Sequence, residues 1–319
     1  MTHHISRRTL VSSLLAMPLI SFGADPWPNN TIRIVVPAPA GGGVDVFTRV
    51  VAEQLAIALK QNVIVDNKAG ASGLIGTMAA AQSKADGYTI AYIHSGLVTL
   101  QAMNPKLDLL KDFKPVAKLS SSPYAVVVSE DSKYKTIQEL IAAVQANPGK
   151  LSYGSGGNGS PAHMAVEYLD ERLKNFKGLH VPFKGALESA NAIIGGQVDF
   201  QIGLLGSMVG LLKGSKLRVL AVTSRDRLSS LPNVPTLSES AVPGFVFEPW
   251  GGLAVPTGTP DAVVARLQEV LPGLMTSSAI KSIVAQQGSN VDYASSQSLS
   301  TLIAQEVELN KAVVKRLSL

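Results

Sequence analysis

Residues 35–49 read VVPAPAGGGVDVFTR. A run of apolar β-formers stops at Pro37, three glycines follow at 41–43, and the spacing then becomes that of a helix. Such strand–glycine loop–helix joints in α/β proteins put a ligand at the carboxyl end of a strand. The pattern continues outward. TIRIVVP (31–37) reads as a strand and 45–60 as a helix, followed by a strand at 62–67, a helix at 74–84 and a strand at 88–93 behind the Asp86-Gly87 turn. Farther on, 125–129 is a strand. Thr136 and Glu139 form a capping box that opens a helix, and Pro148-Gly149 stops it. Strands at 150–155, 179–185, 198–203 and 217–224 alternate with helices at 161–173 and 187–196.

Strands separated by helices of this length predict parallel-rich sheets flanked by helices, an α/β fold. One set of βαβ units runs from 31 to about 124 and a second from 125 to 224. Thr259-Pro260 reads as a helix start, and 299–317 carries apolar residues at helical spacing. The tail is expected to return to the first set. That gives lobe 1 as 25–124 plus 225–319, lobe 2 as 125–224, and a cleft between them.

The chain has 319 residues, 46% hydrophobic and 16% charged, enough for two globular cores. Residues 1–24 differ: a basic start, the apolar LVSSLLAMPLI, then small residues at Ser21 and Gly23. This is the pattern of a cleaved secretory signal, so a periplasmic location is expected. Ser6-Arg7-Arg8-Thr9-Leu10 also matches a twin-arginine signal. With no cysteine there is no disulfide, thiol chemistry or lipid attachment to that residue. The formal net charge is +5, and the basic residues are scattered rather than interleaved with aromatics. That pattern argues against nucleic-acid binding and leaves a mild bias toward small anions. A monomer without cofactor is expected.

Three glycine loops sit where a strand meets a helix: 37–45, 68–76 and 154–163. Gly154-Ser155-Gly156-Gly157-Asn158-Gly159 satisfies GxGxxG, but a dinucleotide site needs an acidic residue at the end of the next strand, where Lys184 stands. No loop ends in the GK[ST] of a phosphate-binding P-loop, no G-x-S-x-G elbow is present, and His94, His163 and His180 lack metal spacing. The loops suit a carboxylate. Ser160, followed by Pro161, caps a helix whose free N–H groups and dipole favour an anion. Each candidate has two readings. Ser160 caps, binds ligand or does both; His163 touches ligand or only hydrogen-bonds at a helix start. Asp45 compensates a helix dipole or orders the ligand loop, Lys184 is a counter-charge or a solvated lysine, and Asp199 accepts loop N–H groups.

In their order, IRIVVPAPAGGGVDVFTR, VIVDNKAGASGLIGT, ADGYTI, NPGKLSYGSGGNGSPAHMA, HVPFKG, IIGGQVD, LRVLAVTSRDR, LPNVPTLSE and GLAVPTGTP resemble the Bug-type periplasmic receptors of tripartite tricarboxylate transporters. The resemblance implies a two-lobed flytrap and a small carboxylate ligand delivered to a membrane permease. It implies ligand contacts from the loops Ala38 to Asp45 and Ser155 to His163. The expected set is Ala38, Ala40, Gly41, Gly42, Asp45, Ser95, Ser155, Gly156, Asn158, His163, Lys184, Gly203 and Leu204. Two departures stand out: Ala38 where relatives carry an aromatic, and Gly203-Leu204-Leu205 where they often carry Asp. Together these predict a bulkier, less polar acid, such as an aromatic carboxylate. A sensor receptor for a signalling system, or an NAD(P)-dependent enzyme using 154–159, are the competing classes.

Overall fold

The computed structural model describes residues 27–228 and 230–317; the expected secretory signal, residues 1–24, lies outside them. Among the described residues eleven strands form two sheets. The first lobe holds β1 (Ile32–Val36), β2 (Val63–Asn67), β3 (Thr89–His94), β4 (Phe113–Ser121), β10 (Trp250–Pro256) and β11 (Asn290–Ser295), ordered β11-β4-β10-β3-β1-β2. The second holds β5 (Tyr124–Ser129), β6 (Ser152–Ser155), β7 (Leu179–Pro182), β8 (Phe200–Leu204) and β9 (Leu217–Val222), ordered β7-β6-β8-β5-β9.

The sheets are mixed rather than parallel-rich. Strand β1 pairs in parallel with β2 and β3, and β6 with β7 and β8, as βαβ crossovers require. The antiparallel pairings involve β4, β5, β9, β10 and β11, and β4, β5 and β10 are the strands where the chain crosses between lobes.

The apolar run of β1 is explained by burial on both faces. Ile32, Ile34 and Val36 join Phe47, Leu55, Leu253 and Leu267 in one core, while Val35 joins Ile93, Leu97, Leu299 and Ile303 in the other. In lobe 2, Val126 and Val128 pack with Leu140, Tyr153 and Phe200, while Ala125 and Val127 face Ala190, Ile193 and Met208. The capping box at Thr136 is present: its hydroxyl accepts the Glu139 N–H at 3.2 Å. Thr259 instead donates to the Pro256 carbonyl, and Pro260 precedes the helix Asp261–Met275.

The chain leaves lobe 1 at Ser122-Pro123 and returns at Glu248-Pro249. The return falls later than the expected 225, because Leu237, Val242 and Phe245 are built into the core of the five-stranded sheet. The two crossing segments lie side by side, the Ser122 N–H donating to the Pro249 carbonyl at 2.7 Å. The buried Thr223 hydroxyl ties them down, accepting the Tyr124 N–H at 3.1 Å and donating to the Phe247 carbonyl at 2.6 Å. No helix among the described residues is long and apolar enough to cross a membrane.

Candidate functional site

Four strand ends meet across the cleft, each leading into a helix, two of them directly and two through a glycine loop. They are β1 into Gly43–Leu59, β3 into Ser95–Met103, β6 through its glycine loop into Pro161–Leu173, and β8 into Leu205–Lys213. Their first turns and positive dipole ends converge on the cleft, an arrangement that favours an anion.

Two adjoining cavities of about 400 and 430 Å³ fill this space. One is walled by Tyr92, His94, Ser95, Gly96, Gly156, Asn158, Ser160 and Trp250, the other by Gly43, Phe47, Gly206, Ser207 and Gln287. Val44, Tyr92, Ser120, Ser122 and Leu204 line both. None of these side chains carries a formal charge at neutral pH. Burial holds the His94 imidazole down at about 4, and its Nδ1 accepts the Gly96 N–H at 3.1 Å, capping the helix behind Ser95. Burial pushes the Tyr92 phenol up to about 12, against a hydrogen bond from Ser120 that draws it back. An anion here is therefore held by N–H and O–H donors rather than by a counter-charge.

Of the residues expected from sequence, Ser95, Gly156, Asn158 and Leu204 line the cavity. The others serve elsewhere. Ala38 is half-buried against the lobe 1 core, and its carbonyl accepts the Asn67 amide at 3.2 Å. Ala40, Gly41 and Gly42 are exposed; from that loop Gly43 and Val44 reach the cavity. Gly203 lies within β8, where a side chain would meet the Gln201 amide at 2.5 Å, so its spare volume is already filled. Lys184 is exposed, its backbone N–H taken by Glu188 at 3.0 Å, and it is not part of the cavity wall. Neither Ala38 nor Gly203 therefore opens space in the cavity for a bulky acid, and only Leu204 of that set forms wall. Asp199 accepts the Ser152 N–H at 2.7 Å.

Asp45 orders the first loop. Its carboxylate is buried, accepts the Gly41 N–H at 2.8 Å and pairs with Arg49 at 3.0 Å. Burial alone would raise its pKa, but the Arg49 and Gly41 hydrogen bonds outweigh it and hold the carboxyl below its ordinary value. Asp45→Ala is expected to cost about 1–3 kcal/mol of stability in urea unfolding, the range for losing a hydrogen-bonded charged partner. It should also weaken ligand binding, since the loop carrying Gly43 and Val44 loses its anchor; unchanged affinity would remove Asp45 from the site's support.

Ser155 and His163 also sit behind the surface. Ser155 is buried with its hydroxyl 2.6 Å from His180 Nε2, and His163 is buried with Nδ1 accepting the Gly159 N–H at 3.0 Å. Sequence reading missed Tyr92, Ser120, Ser122, Tyr124 and Trp250. Tyr92 lay inside a recognised strand, and its aromatic ring among small residues was the available signal. The rest belong to the crossing segments, whose pairing only the fold reveals.

Two α/β lobes joined by paired crossings, with helix N-termini converging on a cleft, define a two-lobed solute-binding receptor. Residues 47–319 match the tripartite tricarboxylate transporter family receptor, and the chain belongs to that periplasmic solute-binding family. It is 35% identical to a UPF0065 protein of Pseudomonas sp. strain P51 over 95% of this chain and 91% of the relative. A TctC solute-binding protein from Polaromonas superposes with a TM-score of 0.83 at 31% identity, covering 91% of this chain and 99% of that one. MatC from Rhodopseudomonas palustris, solved with bound malate, superposes with a TM-score of 0.71 at 28% identity over 90% and 99% of the two chains.

Proposed function

We propose that this protein is a periplasmic receptor that binds a small organic carboxylate between its lobes and delivers it to a membrane permease. The observation that carries this reading is the convergence of four helix N-termini on a cavity lined by neutral hydroxyl, amide and aromatic groups. The carboxylate is held at the strand ends by first-turn N–H groups and by hydroxyls such as Ser95 and Ser160. The body of the acid lies against Tyr92, Tyr124, Trp250 and Leu204, walls that favour an acid with an apolar or planar body. Ligand stabilises the closed arrangement because only there do both lobes touch it, and it shifts the equilibrium by that differential affinity alone. The malate bound by the R. palustris relative supports the carboxylate class.

Calorimetric titration of the purified protein with malate, adipate, benzoate, ATP and NADPH tests the reading. Binding of at least one acid in the micromolar range or tighter, with no heat from either nucleotide, is expected. Nucleotide binding with no acid bound would overturn it. Loss of uptake of the bound acid on deletion of the cognate permease would test the delivery step.

A further inference from the structure

The third glycine loop, residues 156–160, contributes Gly156, Asn158, Gly159 and Ser160 to the cavity wall, yet its fixings lie behind it. At one end the Ser155 hydroxyl accepts the Gly157 N–H at 3.0 Å and meets His180 Nε2 at 2.6 Å. At the other end His163 Nδ1 accepts the Gly159 N–H at 3.0 Å. The two imidazoles stack face to face, with centroids 4.2 Å apart and planes 4° from parallel. This follows from the fold. Tyr153 and His180 are register partners on β6 and β7, with rings 5.0 Å apart, and the helix Pro161–Leu173 brings His163 onto them.

Behind His163 stands a second layer. Its Nε2 is 3.8 Å from Glu167 Oε1, which also accepts the Tyr153 hydroxyl at 3.3 Å. The other Glu167 oxygen accepts Arg316 Nη2 at 2.9 Å. Arg316 comes from the last helix, in lobe 1, and its other guanidinium nitrogen reaches Asp170 at 3.2 Å and Glu171 at 3.0 Å. A row of neighbouring polar groups therefore runs from lobe 1 through Arg316, Glu167 and His163 to the Gly159 N–H at the cavity.

We propose that His163 is a positioning residue for ligand binding, holding the Gly156–Ser160 loop through its unprotonated Nδ1, with Arg316 of the opposite lobe backing it through Glu167. It acts without touching ligand, and the inference rests on the receptor reading above only for the location of the ligand. Protonation of Nδ1 turns the acceptor into a donor facing an N–H, which releases the loop. Burial, and then the neighbouring His180, hold His163 down at about 4, and Glu167 Oε1 stands 3.8 Å from its Nε2. The titratable and charged groups around the imidazole are His180, Tyr153, Glu167, Asp170 and Arg316. Arg316 neutralises Glu167 and so keeps the imidazole neutral.

The expected behaviour is specific. A free imidazole titrates near 6.5, so at pH 5 release of the loop is favoured by up to about 20-fold over its value at pH 7. Hydrogen exchange at the Gly159 amide in the unliganded protein, corrected for the intrinsic pH dependence, reads this directly. Protection is expected to fall several-fold between pH 7 and pH 5 in the natural protein. In His163→Asn, whose Oδ1 takes the place of Nδ1 as acceptor but does not titrate, it should stay level. His163→Leu should lose protection at every pH. Arg316→Gln should shrink the loss, because an unopposed Glu167 raises the folded imidazole toward its free value and narrows the gap that drives release.

Titration with malate and benzoate at the same two pH values should follow the same order. His94 also caps a helix at the cavity through Nδ1, so a pH-dependent loss of affinity that persists unchanged in His163→Asn would assign the effect to His94 and overturn the proposal. Level protection in the natural protein would overturn it as well, and an undiminished pH effect in Arg316→Gln would remove Arg316 from it. If neither acid binds while the exchange results hold, the receptor reading fails and the loop assignment stands.

Discussion

Gly206→Ala is expected to leave both lobes folded and to weaken ligand binding by about 5- to 150-fold, corresponding to the roughly 1–3 kcal/mol that overpacking costs. Gly206 begins the second turn-end of the cleft, on the helix Leu205–Lys213 of lobe 2. A methyl there would stand 2.0 Å from the Gln287 carbonyl oxygen and 3.2 Å from Gly288 Cα, both in lobe 1. The contact is reciprocal, since a methyl on Gly288 would stand 2.5 Å from Gly206 Cα, and Gly288 also has φ of 62°, in the left-handed region. Gln287 meanwhile donates from its side-chain amide to the Gly43 carbonyl at 2.8 Å, tying this contact to the first glycine loop. The three atoms nearest the added methyl all belong to lobe 1, so the clash opposes closure rather than the folding of lobe 2. The unliganded variant should melt within a degree or two of the natural protein, and small-angle scattering should show no compaction on adding ligand. Gly210→Ala on the same helix is the control, because a methyl there meets nothing within 4 Å. Natural affinity in Gly206→Ala would show that the closed form does not need this contact.

The closure contact illustrates what the sequence concealed. The βαβ strands and their glycine loops were legible because each carries its own signal: an apolar run, a turn residue and a helix cap within a dozen residues. Strands β4, β10 and β11 carry weaker ones. WGGLAVP (Trp250–Pro256) has two glycines and a proline, which weaken its strand signal; in the fold it is buried along its length between β3 and β4. The site was legible as loops and not as side chains. Asp45, Ser155 and His163 were found in the right loops, but each bonds backward into its own loop. Residues with strong hydrogen-bonding chemistry at a strand end are needed first to satisfy the N–H groups that glycine turns leave unpaired. The cavity wall is then formed by residues such as Gly156, Ser95 and Leu204, which have little local signature. Contacts between lobes, such as Arg316 with Glu167, join residues far apart in the chain and leave no trace in spacing.

Trp250→Ala should have the largest effect on stability, about 3–5 kcal/mol in urea unfolding, the range for removing a buried aromatic. Trp250 is buried at the start of β10, lines the cavity with its ring and belongs to the core beneath the last helix. Its indole N–H also donates to both oxygens of Glu306, at 3.1 and 3.0 Å. Burial pushes the Glu306 carboxyl up to about 7, and the Trp250 N–H and the Lys118 charge draw it back. Trp250→Phe separates the two roles, since it keeps most of the ring and removes only the donor. Because the folded value of Glu306 lies above its unfolded value of about 4.5, its contribution is fully present below pH 4.5 and is lost as pH rises toward 7. Without the indole N–H the carboxyl rises further, and the loss extends to higher pH. Trp250→Phe should therefore be more destabilising at pH 8, where a buried carboxylate lacks its donor, than at pH 5, where the carboxylic acid is neutral. Adding Glu306→Gln should abolish that difference between the two pH values. Equal destabilisation by Trp250→Phe at pH 5 and pH 8 would mean that the indole serves the core through its volume alone.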